Sequence, residues 1–185
     1  MNIKRYIATI ILAIVLLLNF SCTDWLDVKP VDRMSEDQLY STEAGFRQAL
    51  NGIYVELNHA DLYGDELLVN TVEILAQRYK FSSMGTLTNQ YHLAEFDYTT
   101  DYAKKCGSRI WEKAYALIAN VNKLLKNADS HKDLFTGDSY DLITGEAYAL
   151  RAFLHFDLLR LFGPVYKTHK EDKSICYNTQ FSLSG

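Results

Sequence analysis

The sequence predicts an all-α fold in which antiparallel helix pairs of the tetratricopeptide-repeat type are joined by long loops. Apolar residues recur at helical spacing along several stretches, and no strand-like alternation stands out before the polar end of the chain. Two long helical stretches also follow one another across a short loop, as in a helix-turn-helix repeat. With 48% hydrophobic residues and only two prolines among 185 residues, the chain can enclose one modest core.

The first 21 residues are predicted to be a lipoprotein signal peptide. Two basic residues precede a short apolar run over residues 7–18, which is too short to be interpreted first as a membrane-spanning helix. A serine and Cys22 close that run as at a bacterial lipoprotein processing site, so Cys22 is the predicted lipidated residue. Asn19 stands where such sites usually have leucine. The alternatives are an ordinary signal peptide with an incidental cysteine, or an uncleaved anchor.

The other two cysteines give no further pattern. With Cys22 lipidated, Cys106 and Cys176 remain. They could pair in an oxidising compartment, but two distant cysteines make no disulfide framework, and no CxxC or Cys/His spacing for zinc occurs. Two ordinary thiols are the preferred interpretation.

Residues 22–40 are predicted to be a polar tether, and residues 41–165 a helical domain. Ser35 and Gln38 have the spacing of a capping box, which predicts a short helical turn there. The first full helix is predicted over residues 42–58 and the second over residues 65–79. Their apolar stripes are Phe46, Leu50, Ile53 and Leu57 in the first, and Leu68, Val72, Leu75 and Tyr79 in the second.

The stretch over residues 81–99 loses the helical period and is predicted to be an irregular loop rich in aromatic residues. Long loops are more often functional than short ones. Thr100 can then cap a third helix that reaches about Asn127. The apolar stripe of that helix includes Trp111, which is therefore predicted to lie in the core.

The fourth helix, over residues 142–162, organises the chain because it is apolar on two sides. A helix of this kind sits between other helices, so a side without a cover should expose apolar surface around Phe153 and Phe156. Gly163 can take the left-handed cap conformation, and residues 166–185 are predicted to be a polar tail. One apolar face holds Ile143, Ala147, Leu150, Leu154, Leu158 and Leu161, and the other holds Leu142, Ala149, Ala152, Phe153 and Phe156.

The sequence carries no catalytic or metal-binding constellation. The five histidines are scattered, and none stands at helical metal spacing with a second ligand. GxSxG, HExxH and a phosphate-cradling glycine loop are absent, and His155 is predicted to be a structural histidine. The net charge of −4, without a basic cluster, argues against a nucleic-acid partner. The prediction is therefore a protein that is not an enzyme and needs no metal or cofactor.

A series of short motifs runs through nearly the whole chain up to about Tyr166, and their order and spacing together are specific. The stretches are residues 22–30 (CTDWLDVKP), 40–42, 45–46, 49–54 (ALNGIY), 111–115 (WEKAY) with Ile118, Asn120 and Asn122, then 145–147, 150–152 and 160–164 (RLFGP). In this order they resemble the amino-terminal part of the SusD/RagB family of nutrient-binding outer-membrane lipoproteins. Because members of that family are several hundred residues long, the chain is expected to correspond to an amino-terminal portion.

The resemblance implies a function without catalysis. Proteins of this kind are anchored by lipid in the outer membrane, face the cell surface, and pass oligosaccharides or polysaccharides to a SusC-like TonB-dependent transporter. One alternative is a helical-repeat envelope lipoprotein that joins other proteins and binds no sugar. Another is an inactive fragment.

The aromatic stretch supplies the candidate ligand-binding residues. Sugars present C–H faces that stack on aromatic rings, and hydroxyl groups that need hydrogen-bond partners. The alternative is that the tyrosines close the top of the helical core. The candidates are Asn89, Tyr91, His92, Tyr98 and Tyr102.

Overall fold

The computed structural model describes residues 34–81 and 85–181, and those from Glu36 onward belong to one unit. No strand occurs among the described residues, which confirms the predicted all-α class. The signal peptide, most of the tether and the predicted lipidation site Cys22 lie outside them, so those predictions stay predictions. The elements are α1 (Glu36–Leu39), α2 (Glu43–Leu57), α3 (Thr71–Leu75), α4 (Thr88–Ala94), α5 (Asp101–Ser130), the 3-10 turn η1 (Lys132–Leu134), α6 (Ser139–Phe162) and α7 (Tyr166–His169).

Three long helices, α2, α5 and α6, form the framework, and their predicted positions are confirmed to within a few residues. Threonine side chains cap the first two helices, where the backbone N–H groups of the first turn lack helical partners. The Thr42 hydroxyl accepts the N–H of Gly45 at 3.1 Å, and the Thr100 hydroxyl accepts the N–H of Ala103 at 3.3 Å. The short turn predicted around Ser35 and Gln38 is α1.

Contacts between side chains fix the directions of the framework helices. Residue numbers rise together along α2 and α6, so these two run parallel, whereas they run in opposite senses along α5 and α6. The α5–α6 pair is thus the predicted antiparallel hairpin. The pairs that show this are Arg47–Ser139 and Tyr54–Glu146 for α2 with α6, and Asn122–Arg151 and Trp111–Phe162 for α5 with α6.

The main core lies where the three framework helices meet. Phe46 of α2, Ile118 and Val121 of α5, and Ala147 of α6 are fully buried there, and Leu154 is nearly so. Burial of such side chains is the dominant stabilising contribution in a small helical domain.

The second apolar face of α6 is exposed among the described residues, as expected. Leu142, Phe153 and Phe156 all retain about half of their accessible surface. The end of the helix differs from the prediction, because Gly163 has φ −77° and ψ 159° and is therefore extended rather than left-handed. Glycine is still required there, since a Cβ would lie 2.4 Å from the carbonyl oxygen of Leu159.

The second predicted helix, over residues 65–79, is wrong in extent, because only α3 is helical within it. The carbonyl of Asp65 accepts the N–H groups of Leu68, Val69 and Asn70 at 2.9–3.1 Å, so the chain turns instead of propagating a helix. The Asn70 side chain also donates to the Asp65 carboxylate at 3.3 Å, a local contact that competes with the helix. Leu68, assigned to the apolar stripe, is consequently exposed.

The aromatic stretch is not irregular throughout, because α4 lies within it. The segment is anchored by Leu93, which is buried against Ile74 and Ala103 in a second, smaller cluster. Phe96 has a φ of 59°, a left-handed conformation that ends the helical turn after α4. The predicted tail begins with α7 and continues without regular secondary structure to Phe181.

Candidate functional site

A cavity of about 600 Å³ opens beside the first half of α5. Its walls come from three parts of the chain, namely α3, the α4 region with the start of α5, and the end of α6. A volume of this size suits a small organic ligand. The lining residues are Thr71, Leu75, Leu93, Tyr98, Ala103, Lys104, Cys106, Gly107, Ser108, Ile110, Trp111, Leu161 and Phe162.

Small residues on α5 create the space. Ala103 and Gly107 stand one turn apart on the cavity face, and Trp111 follows one turn later. A Cβ on Gly107 would lie 3.6 Å from the ring of Phe162, so α6 approaches this turn closely. The surface of α5 is therefore recessed at Ala103 and Gly107, and the indole of Trp111 forms a wall at the far side of this recess.

The aromatic wall of the cavity is a fixed group of rings. Trp111 meets Phe162 edge to face at 5.2 Å between ring centroids, and it also packs against Tyr115 at 4.8 Å. Tyr98 lines the same cavity with 57% of its surface exposed. The exposed ring of Tyr98 is a surface on which the C–H face of a ligand can stack, and the packed indole of Trp111 lines the same cavity.

Polar side chains accompany these rings. Lys104 and Ser108 line the cavity and are exposed, and the hydroxyl of Ser108 donates to Glu112 at 2.8 Å. Thr71 lies on the opposite wall and donates its hydroxyl to Glu66 at 2.5 Å. The cavity thus combines apolar walls with a few polar groups, which is the composition typical of small-molecule sites.

A buried charged cluster supports the inner wall. Glu66 is only 3% exposed and is held by the hydroxyl of Thr71 and by the guanidinium of Arg109. Arg109 also lies 3.5 Å from the carboxylate of Asp61. Burial, followed by the nearby charge of Glu66, raises the pKa of the Cys106 thiol, so this cysteine is held as a neutral thiol rather than an activated nucleophile.

The structure brings only one of the predicted site residues to the cavity, which is Tyr98. Asn89 is exposed on α4, and Tyr91 and His92 are half-buried there with their rings edge to face at 5.7 Å. Tyr102 is half-buried against the smaller cluster, and burial raises its pKa to about 12. Nothing in the structure tests whether these residues bind a ligand, so their role stays a prediction.

Sequence reasoning missed the framework residues that line the cavity. Trp111 packs against the core as predicted, but it also faces the cavity, together with Phe162. The sequence did contain one indication of the cavity. Ala103, Gly107 and Trp111 are spaced four residues apart, so two small residues and a large ring share one face of the helix. Nothing in the sequence indicated that the end of α6 would form another wall of the cavity.

The remaining predicted groups have ordinary surroundings. Cys106 is buried, Cys176 is exposed, and both are free thiols. No group of three or more His, Cys, Asp or Glu side chains within residues 34–81 and 85–181 is arranged to hold a metal ion. In the same residues no helix is both long and apolar enough to cross a membrane.

Most of the chain matches the model of a known protein family. Residues 24–182 match the model of the SusD-like family, which is described as starch-binding and associating with the outer membrane. The chain belongs to the SusD-like family. The match spans the framework helices, the cavity and the segment after α7, and it confirms the resemblance drawn from the sequence motifs.

Curated relatives of this SusD-like chain are longer proteins. It is 27% identical over 162 residues to SusD-like protein P2 of Formosa agariphila, covering 88% of this chain and 30% of that protein. It is also 27% identical over 148 residues to SusD-like protein P25 of the same organism, covering 78% and 28%. The chain therefore spans less than a third of the length of these relatives. No solved structure matches it.

Proposed function

We propose that this SusD-like chain takes part in glycan capture at the cell surface. It would be anchored in the outer membrane by a lipid on Cys22, pass oligosaccharides or polysaccharides to a SusC-like TonB-dependent transporter, and perform no catalysis. The observation that carries the proposal is the open cavity edged by Tyr98, Trp111 and Phe162. Stacking of a sugar ring on Tyr98, a hydrogen bond donated by the Lys104 ammonium to a sugar hydroxyl oxygen, and a hydrogen bond between a sugar hydroxyl and Ser108 would use both parts of that surface.

Oligosaccharide titration of the full chain, purified in detergent, tests the sugar-binding part. A panel of neutral and acidic oligosaccharides would be measured by calorimetry against the unchanged chain and Tyr98→Ala. We expect Tyr98→Ala to lower the affinity for the bound glycan about tenfold, because a stacking ring is lost. The matched control is Tyr166→Ala, since Tyr166 is exposed on α7 and does not line the cavity.

Two results would contradict the sugar-binding role at this cavity. One is that no oligosaccharide of the panel binds although circular dichroism shows a folded helical chain. The other is that Tyr98→Ala and Tyr166→Ala lower the affinity equally.

Metabolic labelling with a fatty acid tests the anchor separately. Cells expressing the unchanged chain should incorporate the label and retain the protein in the outer-membrane fraction, whereas Cys22→Ser should do neither. Labelling that persists in Cys22→Ser would show that this cysteine is not the lipid site.

A second candidate function is that of an adaptor between envelope proteins. The observation in its favour is the apolar face of α6, where Phe156 is 56% exposed and Leu142 and Phe153 lie on the same face. Co-purification with a SusC-like barrel that survives Tyr98→Ala but is lost in Phe156→Ser, in a chain that binds no glycan, would favour the adaptor.

A further inference from the structure

The cavity beside α5 carries a charge of one sign. Lys104 is the one charged side chain among the described residues that line it, and no carboxylate does so there. The walls around it are mostly apolar, with Leu75, Leu93 and Leu161 among them. A cation at the edge of an apolar cavity attracts an anion more strongly than the same cation on an open surface, because less water screens the two charges.

The ammonium group of Lys104 is not neutralised by the chain itself. Lys104 is exposed and forms no ion pair within residues 34–81 and 85–181. The nearby carboxylate of Asp97 is bound by the hydroxyl and the N–H of Thr99, at 2.6 Å and 3.0 Å. Asp101, one turn before Lys104 on α5, neither pairs with it nor lines the cavity. The positive charge can therefore be matched by a ligand.

Ser108 complements this cation as a neutral acceptor. Its hydroxyl hydrogen is donated to Glu112 at 2.8 Å, so lone pairs of the oxygen remain to accept a further hydrogen bond. Ser108 follows Lys104 by four residues on α5, a spacing that places two Cβ atoms about 5–6 Å apart on one helix face. The two side chains thus present a charged donor and a neutral acceptor to neighbouring groups of one ligand.

A sugar residue with a single negative charge uses every part of this surface. Its C–H face can stack on Tyr98, its anionic group can accept from Lys104, and a ring hydroxyl can donate to Ser108. A neutral sugar would leave the ammonium without a countercharge at the edge of an apolar cavity, which is unfavourable. A heavily charged sugar would bring several anions to one cation.

We propose that the glycan bound in this cavity carries one anionic group on the sugar residue that stacks on Tyr98, and that Lys104 selects for that group. This inference rests on the proposed glycan-capture function and adds the chemical class of the glycan. A carboxylate, as in a uronic acid, and a sulfate ester share the required chemistry. A lysine ammonium is a compact charge that does not impose the planar geometry of a guanidinium, so the experiment distinguishes the two.

The test compares oligosaccharides that differ only in charge, by calorimetry with the full chain purified in detergent. The probes are tetrasaccharides of glucuronate, galacturonate and mannuronate, each beside its carboxyl-reduced form, in which a hydroxymethyl group replaces the carboxylate. Sulfated galactose tetrasaccharides and their unsulfated forms make up the sulfate arm. We expect the charged member of at least one pair to bind about tenfold more tightly, as for a gained hydrogen bond between charged groups. The arm that shows this preference identifies the anionic group.

Matched variants assign the preference to Lys104. Lys104→Met should weaken binding of the charged member about tenfold and affect the neutral member less, because a bond to a hydroxyl oxygen involves no second charge. Lys104→Arg should retain most of the preference. The control is Lys105→Met, since Lys105 is also exposed on α5 but does not line the cavity.

Salt dependence gives a readout that a purely structural role of Lys104 would not change. Raising the ionic strength from about 0.01 M to about 1 M shortens the screening length from about 30 Å to about 3 Å. The affinity of the unchanged chain for the charged member should fall over this range, whereas that of Lys104→Met should change much less.

The outcomes separate this inference from the proposed function. Equal binding of both members in every pair would overturn the preference for an anionic sugar and leave glycan capture standing. Binding of no tetrasaccharide, by a chain that circular dichroism shows to be helical, would overturn both. A preference that Lys104→Met and Lys105→Met weaken equally would overturn the role of Lys104.

Discussion

The framework helices and the insert between α2 and α5, residues 58–100, are stabilised in different ways. The framework buries periodic apolar stripes in one large core. The insert contributes Leu62 to that core, with Tyr63 packed against it. It is otherwise held by the small Ile74–Leu93 cluster, by the contact between Glu66 and Arg109, and by the hydrogen bond from Tyr63 to Asp157. Many interchangeable contacts support the first region, whereas a few specific ones support the second. Substitutions should therefore unfold the whole domain in the framework, but only part of it in the insert.

The largest effect is expected in the framework. Phe46 is fully buried and packs against Tyr40 and Phe135 with ring centroids 4.9 Å and 4.8 Å away. Phe46→Ala should lower the free energy of unfolding by about 3–5 kcal/mol, because it leaves a cavity in the core. Urea denaturation followed by circular dichroism measures this loss. A loss below about 1 kcal/mol would show that the framework core is not packed as described.

The next effect should be confined to the insert. Arg109→Ala would leave the carboxylate of Glu66 buried with only the Thr71 hydroxyl as partner. We expect a loss of about 2–3 kcal/mol, below the range for fully buried pairs because the Arg109 side chain is 41% exposed. Hydrogen exchange should become faster in residues 60–75 and remain slow at the centres of α5 and α6.

A double variant checks the cause of that loss. Glu66→Gln combined with Arg109→Ala removes the buried charge, so it should be more stable than Arg109→Ala alone. Equal stability of the two variants, or faster exchange throughout the framework, would contradict the distinction between the regions.

A smaller effect is expected where the insert is fastened to α6. The Tyr63 hydroxyl donates to the Asp157 carboxylate at 2.7 Å, and burial followed by this bond raises the pKa of Tyr63. Tyr63→Phe should cost about 1–2 kcal/mol, because one hydrogen bond to a charged group is lost while the ring is kept. Since the pKa is raised in the folded state, the stability from this group is present below pH 10.0 and declines above it.

The measurement is chemical denaturation of both chains from pH 7 to pH 11. The stability difference between the unchanged chain and Tyr63→Phe should shrink above the ordinary pKa of tyrosine. A difference that stays constant or grows over this range would argue against the Tyr63–Asp157 contact.

The smallest effect should appear at the start of α2. Hydrogen bonds from Ser139 and from Thr136 hold the pKa of Glu43 at about 2, below its ordinary value of 4.5. A lowered pKa in the folded state gives stability above pH 4.5 that is lost as the pH falls toward 2. Glu43→Gln should therefore unfold at the same urea concentration as the unchanged chain near pH 2, and at a slightly lower one at pH 7. If the two chains differ equally at both pH values, the carboxylate is not the cause.

Much of the framework was predictable from the sequence, because apolar residues at helical spacing determine which face of a helix is buried wherever the partner lies. The stripes of α2, α5 and α6, the cap at Thr100, and the exposed apolar face at Phe153 and Phe156 all follow from local residue patterns. The motif order likewise indicated the SusD-like family.

Only the tertiary structure decided the insert, the cavity and the contacts of the segment after α7 with α5 and α6. The apolar spacing of residues 65–79 predicted a long helix, but the long-range contact of Glu66 with Arg109 of α5 holds the chain in turns there instead. The cavity needs Trp111 and Phe162 from two helices, and Asn122 and His155 form hydrogen bonds with Asn178, which lies beyond α7. A periodic apolar stripe indicates a helix face that is suited to burial. It does not report which distant residue lies against it, because that depends on how the helices pack.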